Sequence, residues 1–249
     1  MTTDDFKILD FTEKEYEKIL EIAKTKYTFE WFGTQSKEKH VIWRHDVDFS
    51  MHRALRLAQI ENQAGITATY FIMLRSEFYH IFERDVKDCI LKIKALGHKV
   101  GLHFDISYYP EIKSASDLTA ALNYEANILE QEYLIDIDCF SFHNTSELTK
   151  IFTDDYYGNF LNVYSNTIQN KYDYCSDSNG YWRFDRLSEV MERDDIQFLQ
   201  VLTHPVWWLP EPMLPRDRVE RAVYGRARKV LEIYDNVLKD GGRVNVRSS

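Results

Sequence analysis

The sequence predicts an α/β domain built on a parallel sheet, open or closed into a barrel, and three observations predict it. Short β-prone runs alternate with helical ones along most of the chain, the rhythm that parallel strands joined by helical crossovers require. Stop signals punctuate the helical blocks: Gly65 and Gly97 close two of them, and Gly241 and Gly242 follow the last. A chain of 249 residues, 44% hydrophobic and 29% charged, is large enough for one full-sized core. One domain spanning residues 1–249 is therefore expected, with residues 1–39 as a helical extension and 40–249 as the strand–helix body.

The elements follow in order. Residues 11–26, "FTEKEYEKILEIAKTK", carry apolar groups at helical spacing, with Thr12 as N-cap and Glu15 three positions on. "HVIWRHDV" reads as a buried strand and "RALRLAQIENQAG" as the helix after it, capped by Asp48 or Ser50. "TATYFIML" and "KVGLHF" are strands on either side of a helix in "ERDVKDCILKIKALG". "SASDLTAALNYEANILEQEY" is helical, and "DCFSFH" is a strand. Residues 151–184 are polar and Tyr-rich, with short strands in "NVYS" and "YDYCS", and read as a loop wall over a site. "IQFLQVLTH" and the helix "RDRVERAVYGRARKVLEIYDNVLKD" end the pattern, giving about seven parallel strands.

Charge and cysteine usage narrow the function. A net charge of −9 offers no basic stripe for nucleic acid and argues against it and against anionic membrane as partners. Cys89, Cys139 and Cys175 have no CxxC spacing, so neither a disulfide framework nor a thiolate metal site is indicated. The acidic N-terminus lacks the apolar core of a signal peptide, and no run approaches membrane-spanning length, so a cytoplasmic location is expected.

In parallel α/β folds, functional groups gather where strands end. Those ends carry Asp46 and Asp48, His103 and Asp105, His143, Ser176 and Asp177, and His204. The spacing of two sends Asp46 and Asp48 to one side of their strand and His45 to the other, towards the helix layer or a neighbouring strand. Mixed carboxylate and imidazole groups suit a divalent cation such as zinc, which makes water nucleophilic near neutral pH. Trp207 and Trp208, flanked by Pro205 and Pro210, read as a rim loop, with core packing the alternative. His40, His52 and His80 read as surface residues, and His98 as structural.

"RHDVDFS", "GITATYFI", "GHKVGLHFD", "SFHNTS", "YCSDSNGYWR" and "LQVLTHPVWW", in that order, resemble the polysaccharide deacetylase superfamily (NodB homology domain, carbohydrate esterase family 4) over residues 40–210. The resemblance implies a distorted, NodB-like (β/α) barrel and hydrolysis of acyl groups on sugars with a bound divalent metal, with zinc the expected ion. It implies Asp46 as the base that deprotonates the attacking water, Asp48 and His103 as metal ligands, and His204 as the acid that protonates the leaving amine. Asp177 would orient His204, and Trp182 would stand beside it. Where the family has a second histidine, this chain has Ser107. His143 is taken as the replacement ligand, with Asp105 as the alternative. His143 also stands where many relatives carry an arginine that holds the base, a role passed to Arg183 or Arg44.

The function so implied is a metal-dependent hydrolase that removes an N-acyl group, acetyl or formyl, from an amino sugar in surface-glycan biosynthesis. The indole faces of Trp182, Trp207 and Trp208 would pack on the sugar, and a nucleotide-linked or lipid-linked sugar is the expected substrate. The alternatives are a metal-free carbohydrate-binding pseudoenzyme and a hydrolase of a non-sugar amide.

Overall fold

The computed structural model describes residues 7–246. Its elements, in chain order, are α1 (Glu13–Lys26), β1 (Thr28–Phe29), β2 (His40–Val47), α2 (Met51–Gln63), β3 (Thr69–Met73), α3 (Arg84–Ala95), β4 (Lys99–Phe104), α4 (Ala115–Tyr133) and β5 (Cys139–Phe142). They continue with β6 (Tyr156–Tyr157), β7 (Phe160–Asn162), α5 (Asn166–Lys171), β8 (Asp173–Ser176), α6 (Leu187–Glu192), β9 (Phe198–Thr203) and α7 (Pro215–Asp240).

The sheet runs β6-β7-β5-β4-β3-β2-β9-β8, with β1 paired to the start of β2. From β7 to β8 every pairing is parallel, which makes seven parallel strands, and only β6–β7 is antiparallel. The sheet curls into a distorted barrel with flanking helices, and no strand pairing joins its β6 and β8 ends among the described residues. The expected extension is more than helical, since β1 adds a strand to the sheet.

Strand alternation sorts the core into two layers. On β2, Val41, Trp43 and Val47 belong to the large cluster between sheet and helices, and Ile42 joins Phe71, Cys139 and Leu161 in a smaller cluster inside the curl. Gly101 on β4 lies opposite Phe71 in register, and a Cβ there would stand 2.6 Å from the Phe71 ring and 3.2 Å from the Cys139 carbonyl. The missing side chain therefore lets the Phe71 ring fill the interior below the rim.

His45 points to the helix layer, one of the two places that its position in the strand allows. There it meets Glu61 of α2 at 2.6 Å, and Thr203 Oγ lies 2.7 Å from its other nitrogen. Tyr16 and Tyr70 both donate to Glu61, and Trp43 donates to Tyr16. Burial pushes the Glu61 carboxyl up, but His45 and His98 outweigh it and hold the group below the ordinary carboxylate range. Its stabilisation is therefore present above the ordinary carboxylate value and is lost as pH falls through the lower folded one. Glu61→Ala is expected to cost about 3–5 kcal/mol, as for removal of one partner from a buried pair, read by urea unfolding at neutral pH. His40, expected at the surface, is fully buried, because β1 and Tyr172 cover the start of β2 and its ring bonds the Tyr172 hydroxyl at 2.8 Å.

Candidate metal and hydrolytic site

The C-terminal ends of β2, β4, β5 and β9 open into a cavity of about 1090 Å³. Inward alternation on β2 delivers Asp46, and Asp48 follows where the strand gives way to α2, whose N-cap is Ser50. His103 faces inward from β4 opposite Ser141 of β5. One backbone bond from His143 N to Phe104 O, 2.8 Å, continues the ladder past β5 and holds His143 beside it.

Three ligand atoms converge, one each from Asp48, His103 and His143, all within 4.8 Å of one another. His103 Nε2 lies 3.1 Å from Asp48 Oδ1 and 3.1 Å from His143 Nδ1, and His143 Nδ1 lies 3.6 Å from the same carboxylate oxygen. Asp48 Oδ1 is buried without a hydrogen-bond partner. Two imidazole nitrogens and a carboxylate oxygen turned inward on a point, with the oxygen left unbonded, fit a divalent cation with an open position. Burial pushes Asp48 up, yet His103 and His143 hold it well below the usual carboxylate range. The Asn144 side-chain amide lies 2.7 Å from His143 Nε2. The contacting atom is the amide Nδ2, so a ligating Nδ1 requires the Asn144 amide to turn over and present its oxygen to a protonated Nε2.

The fallback ligand Asp105 is engaged elsewhere, accepting from the Ser107 backbone N–H at 2.9 Å. Ser107 itself is exposed on the cavity wall.

Asp46 sits deeper than Asp48. Its Oδ2 accepts from Ser141 Oγ at 3.1 Å and lies 3.5 Å from Arg44 and 3.9 Å from His103 Nδ1, and its Oδ1 is buried with no partner. Arg44 is fully buried, donates to the Tyr164 hydroxyl at 2.8 Å and lies over that ring. Arg183, predicted to hold Asp46, is exposed on the cavity wall instead. The residue beside the carboxylate is Arg44, because the same alternation that turns Asp46 inward turns Arg44 inward two positions earlier.

Across the cavity, Asp177 follows β8 and is fully buried. Its Oδ1 lies 2.6 Å from His204 Nδ1, both oxygens accept from the His204 backbone N–H, and Oδ2 accepts from Trp208 Nε1 at 2.8 Å. His204 Nε2 is thereby turned to the cluster of Asp48, His103 and His143, 3.9 Å from Asp48 Oδ2. Burial lowers the His204 imidazole, but the Asp177 carboxylate outweighs it and raises the group to about 9.

The tryptophans separate. Trp207 borders the cavity and packs against Gly180, where a Cβ would fall 2.9 Å from its ring. Trp208, expected on the sugar, is fully buried with its indole N–H on Asp177, so it braces that carboxylate. Trp182, also expected there, stacks on Phe11 at 4.9 Å and donates to Asp10, because the N-terminal segment covers it. Residues missed as site residues are Ser141, Tyr164, Tyr174 and Asn144. Ser141 was legible, since it lies two positions before His143 on one strand face. Tyr164 and Tyr174 were not, because their side of the cavity depends on how β7 and β8 curl inward.

No protein-family profile and no curated protein matches the sequence. Among solved structures, the chitin deacetylase of the fungal pathogen Colletotrichum lindemuthianum aligns with a TM-score of 0.49 and 17% identity, over 80% of this chain and 86% of that one. The catalytic domain of the peptidoglycan N-acetylglucosamine deacetylase from Eubacterium rectale aligns with a TM-score of 0.46 and 14% identity, over 78% and 87%. A CE4 family pseudoenzyme from Bacillus anthracis aligns with a TM-score of 0.46 and 14% identity, over 78% of this chain; the chain spans 62% of that protein's length. At such identities the likeness is one of fold. With TM-scores below 0.5, these alignments record a similarity to carbohydrate esterase family 4 structures and carry nothing about what this chain does.

Proposed function

We propose that the protein is a divalent-metal-dependent hydrolase of the polysaccharide deacetylase type, removing an acetyl or formyl group from the nitrogen of an amino sugar in surface-glycan assembly. The observation that carries this reading is the convergence of Asp48, His103 and His143, with Asp46 and the Asp177-held His204 on its flanks. A cation held there, zinc by the preference of its N and O donors, supplies a Lewis acid that polarises the acyl carbonyl and lowers the pKa of water to about 7.

The chain's own groups carry the protons. Asp46 Oδ1, buried and without a partner, accepts the proton of the attacking water as the new C–O bond forms. Arg44 and Ser141 fix the other oxygen, so the free one keeps its aim. His204, protonated below about 9, gives its Nε2 proton to the departing nitrogen as the C–N bond breaks, leaving a carboxylate and an amine. Asp177 holds the imidazole through Nδ1 and offsets its positive charge. Trp207, Tyr164 and Tyr174 furnish aromatic surface for a sugar ring.

Three buried cysteines with no bond between them suit a reducing compartment, and no helix among the described residues is long and apolar enough to cross a membrane. The reaction in this reading is cytoplasmic and acts on a nucleotide-linked or lipid-linked sugar. Ser107 favours a second reading, a sugar-binding protein without metal.

Elemental analysis and assay decide between them. The purified protein is expected to hold about one equivalent of metal per chain, to release acetate or formate from an N-acylated amino sugar, to lose that activity to a chelator and to regain it with added metal. A metal-free protein that still binds the sugar supports the second reading and overturns the first.

A further inference from the structure

Beside the catalytic cavity lies a second groove of about 810 Å³, bordered by the N-terminal turns of α2 and α3 and by α7. Arg53, Arg226 and Lys229 along it are matched by Glu13, Glu83 and Asp85. Arg84, Arg218, Arg221 and Arg228 also line it and form no ion pair with the described residues. On a chain of net charge −9, four guanidinium groups at one groove outside any ion pair are a local reversal of sign.

A solvated basic face does not account for Arg218. It is 1% exposed, its hydrogen bonds are long ones to the Gly180 and Ile8 carbonyls at 3.5 and 3.4 Å, and its Nε is buried without a partner. Burial holds its guanidinium down to about 10 even with Asp177 in range. A buried cation in this state gains from an anion nearby. The N-termini of α2 and α3, 13 and 12 residues long, add the positive ends of two helix dipoles.

The groove also has an apolar side, from Val206, Leu209, Val230 and Ile233. Phe49 and Phe78, with ring centroids 4.4 Å apart, line both this groove and the catalytic cavity. Along α7, Arg216 and Val219 border the cavity, and Arg218, Arg221 and Arg228 border the groove. The two spaces are neighbours across a wall of two rings.

We propose that the groove binds the diphosphate of the carrier to which the acylated sugar is attached, the sugar reaching past Phe49 and Phe78 into the catalytic cavity. Guanidinium forks match phosphate oxygens two at a time, and the apolar side takes the organic part of the carrier. The proposal rests on the amino-sugar hydrolase reading and names the substrate class of that site: a sugar diphosphate conjugate, whose carrier is either a nucleoside or an isoprenoid. A reaction that builds such a conjugate must precede this one.

The test is calorimetric titration of the full chain, as purified and again after chelation, with uridine diphosphate, geranyl diphosphate and inorganic pyrophosphate. The comparison is Arg221→Ala/Arg228→Ala, whose side chains are exposed and outside the catalytic cavity. Micromolar binding of one of the two conjugated diphosphates is expected, tighter than pyrophosphate, weakened at least about tenfold in the double variant and weakened by salt. The tighter of the two identifies the carrier.

Affinity unchanged in the double variant, or no saturation by any of the three at millimolar concentration, overturns the proposal. Pyrophosphate binding as tightly as both conjugates overturns the carrier. Binding that survives chelation in a protein without deacylase activity sinks the hydrolase reading alone, and deacylase activity without diphosphate binding sinks the groove alone.

Discussion

His103→Ala is expected to abolish metal binding and activity together. His103 Nε2 is the ligand atom nearest the other two, 3.1 Å from both Asp48 Oδ1 and His143 Nδ1. Its removal leaves one imidazole and one carboxylate, too few donors for a catalytic cation of this kind. The loss in turnover should be on the order of 10³-fold or more, the several kcal/mol that a Lewis-acid cation contributes to the transition state. Bound metal, measured on the purified variant, should fall from about one equivalent to a trace. His143→Ala should do the same, and Asp105→Ala should retain the metal, because Asp105 is occupied in capping the turn at Ser107. Should Asp105→Ala lose the metal while His143→Ala keeps it, the ligand set is wrong.

The second large effect lies on the other side of the cavity. His204→Ala should lower turnover by about 10²–10⁴-fold, the span of a general acid, with the metal retained. The pH profile makes the role specific. The Asp177 carboxylate raises His204 to about 9, so the imidazole holds its proton below that value and loses donor capacity as pH rises through it. kcat/KM should therefore show an alkaline limb at or below about 9, since a cation on Asp48 withdraws part of the negative charge that raises the group. In Asp177→Asn the limb should move towards neutrality, because the folded value loses its main support. A limb that stays in place in this variant assigns the titration to another group.

The same shift carries a stability consequence of fixed sign. A histidine raised in the folded state stabilises fully below its unfolded value, and that contribution fades between it and about 9. Asp177→Asn should accordingly unfold at lower urea than the parent at pH 6, with the gap narrowing towards pH 9.

Much of the fold is written locally. Period-two alternation set His45 and Asp46 on opposite sides of their strand, and the strand expected at "HVIWRHDV" spans His40–Val47. Thr12 caps α1 by accepting from Glu15 N, as its place before a run of periodic apolar residues predicts. The 151–184 region was read less well. The strand expected at "NVYS" lies at Phe160–Asn162 and shares only Asn162 with it, and β6 was taken as loop, because two- and three-residue strands hold only through a neighbour that alternation cannot name; α5, a helix of six residues, was also taken as loop. β1 went unseen for the same reason, and with it the burial of His40.

By itself, the sequence determined the α/β rhythm, the strand ends, and the residue types that gather there, because these follow from side-chain periodicity and the chemistry of single residues. Only the tertiary structure decided that Arg44 and not Arg183 lies beside Asp46, that Trp208 braces Asp177 instead of facing the cavity, and that Arg218 is enclosed with its Nε unbonded. The physical reason is distance along the chain: which groups meet across a curled sheet is set by its curvature and by the segments packed over its ends, and no local pattern encodes either.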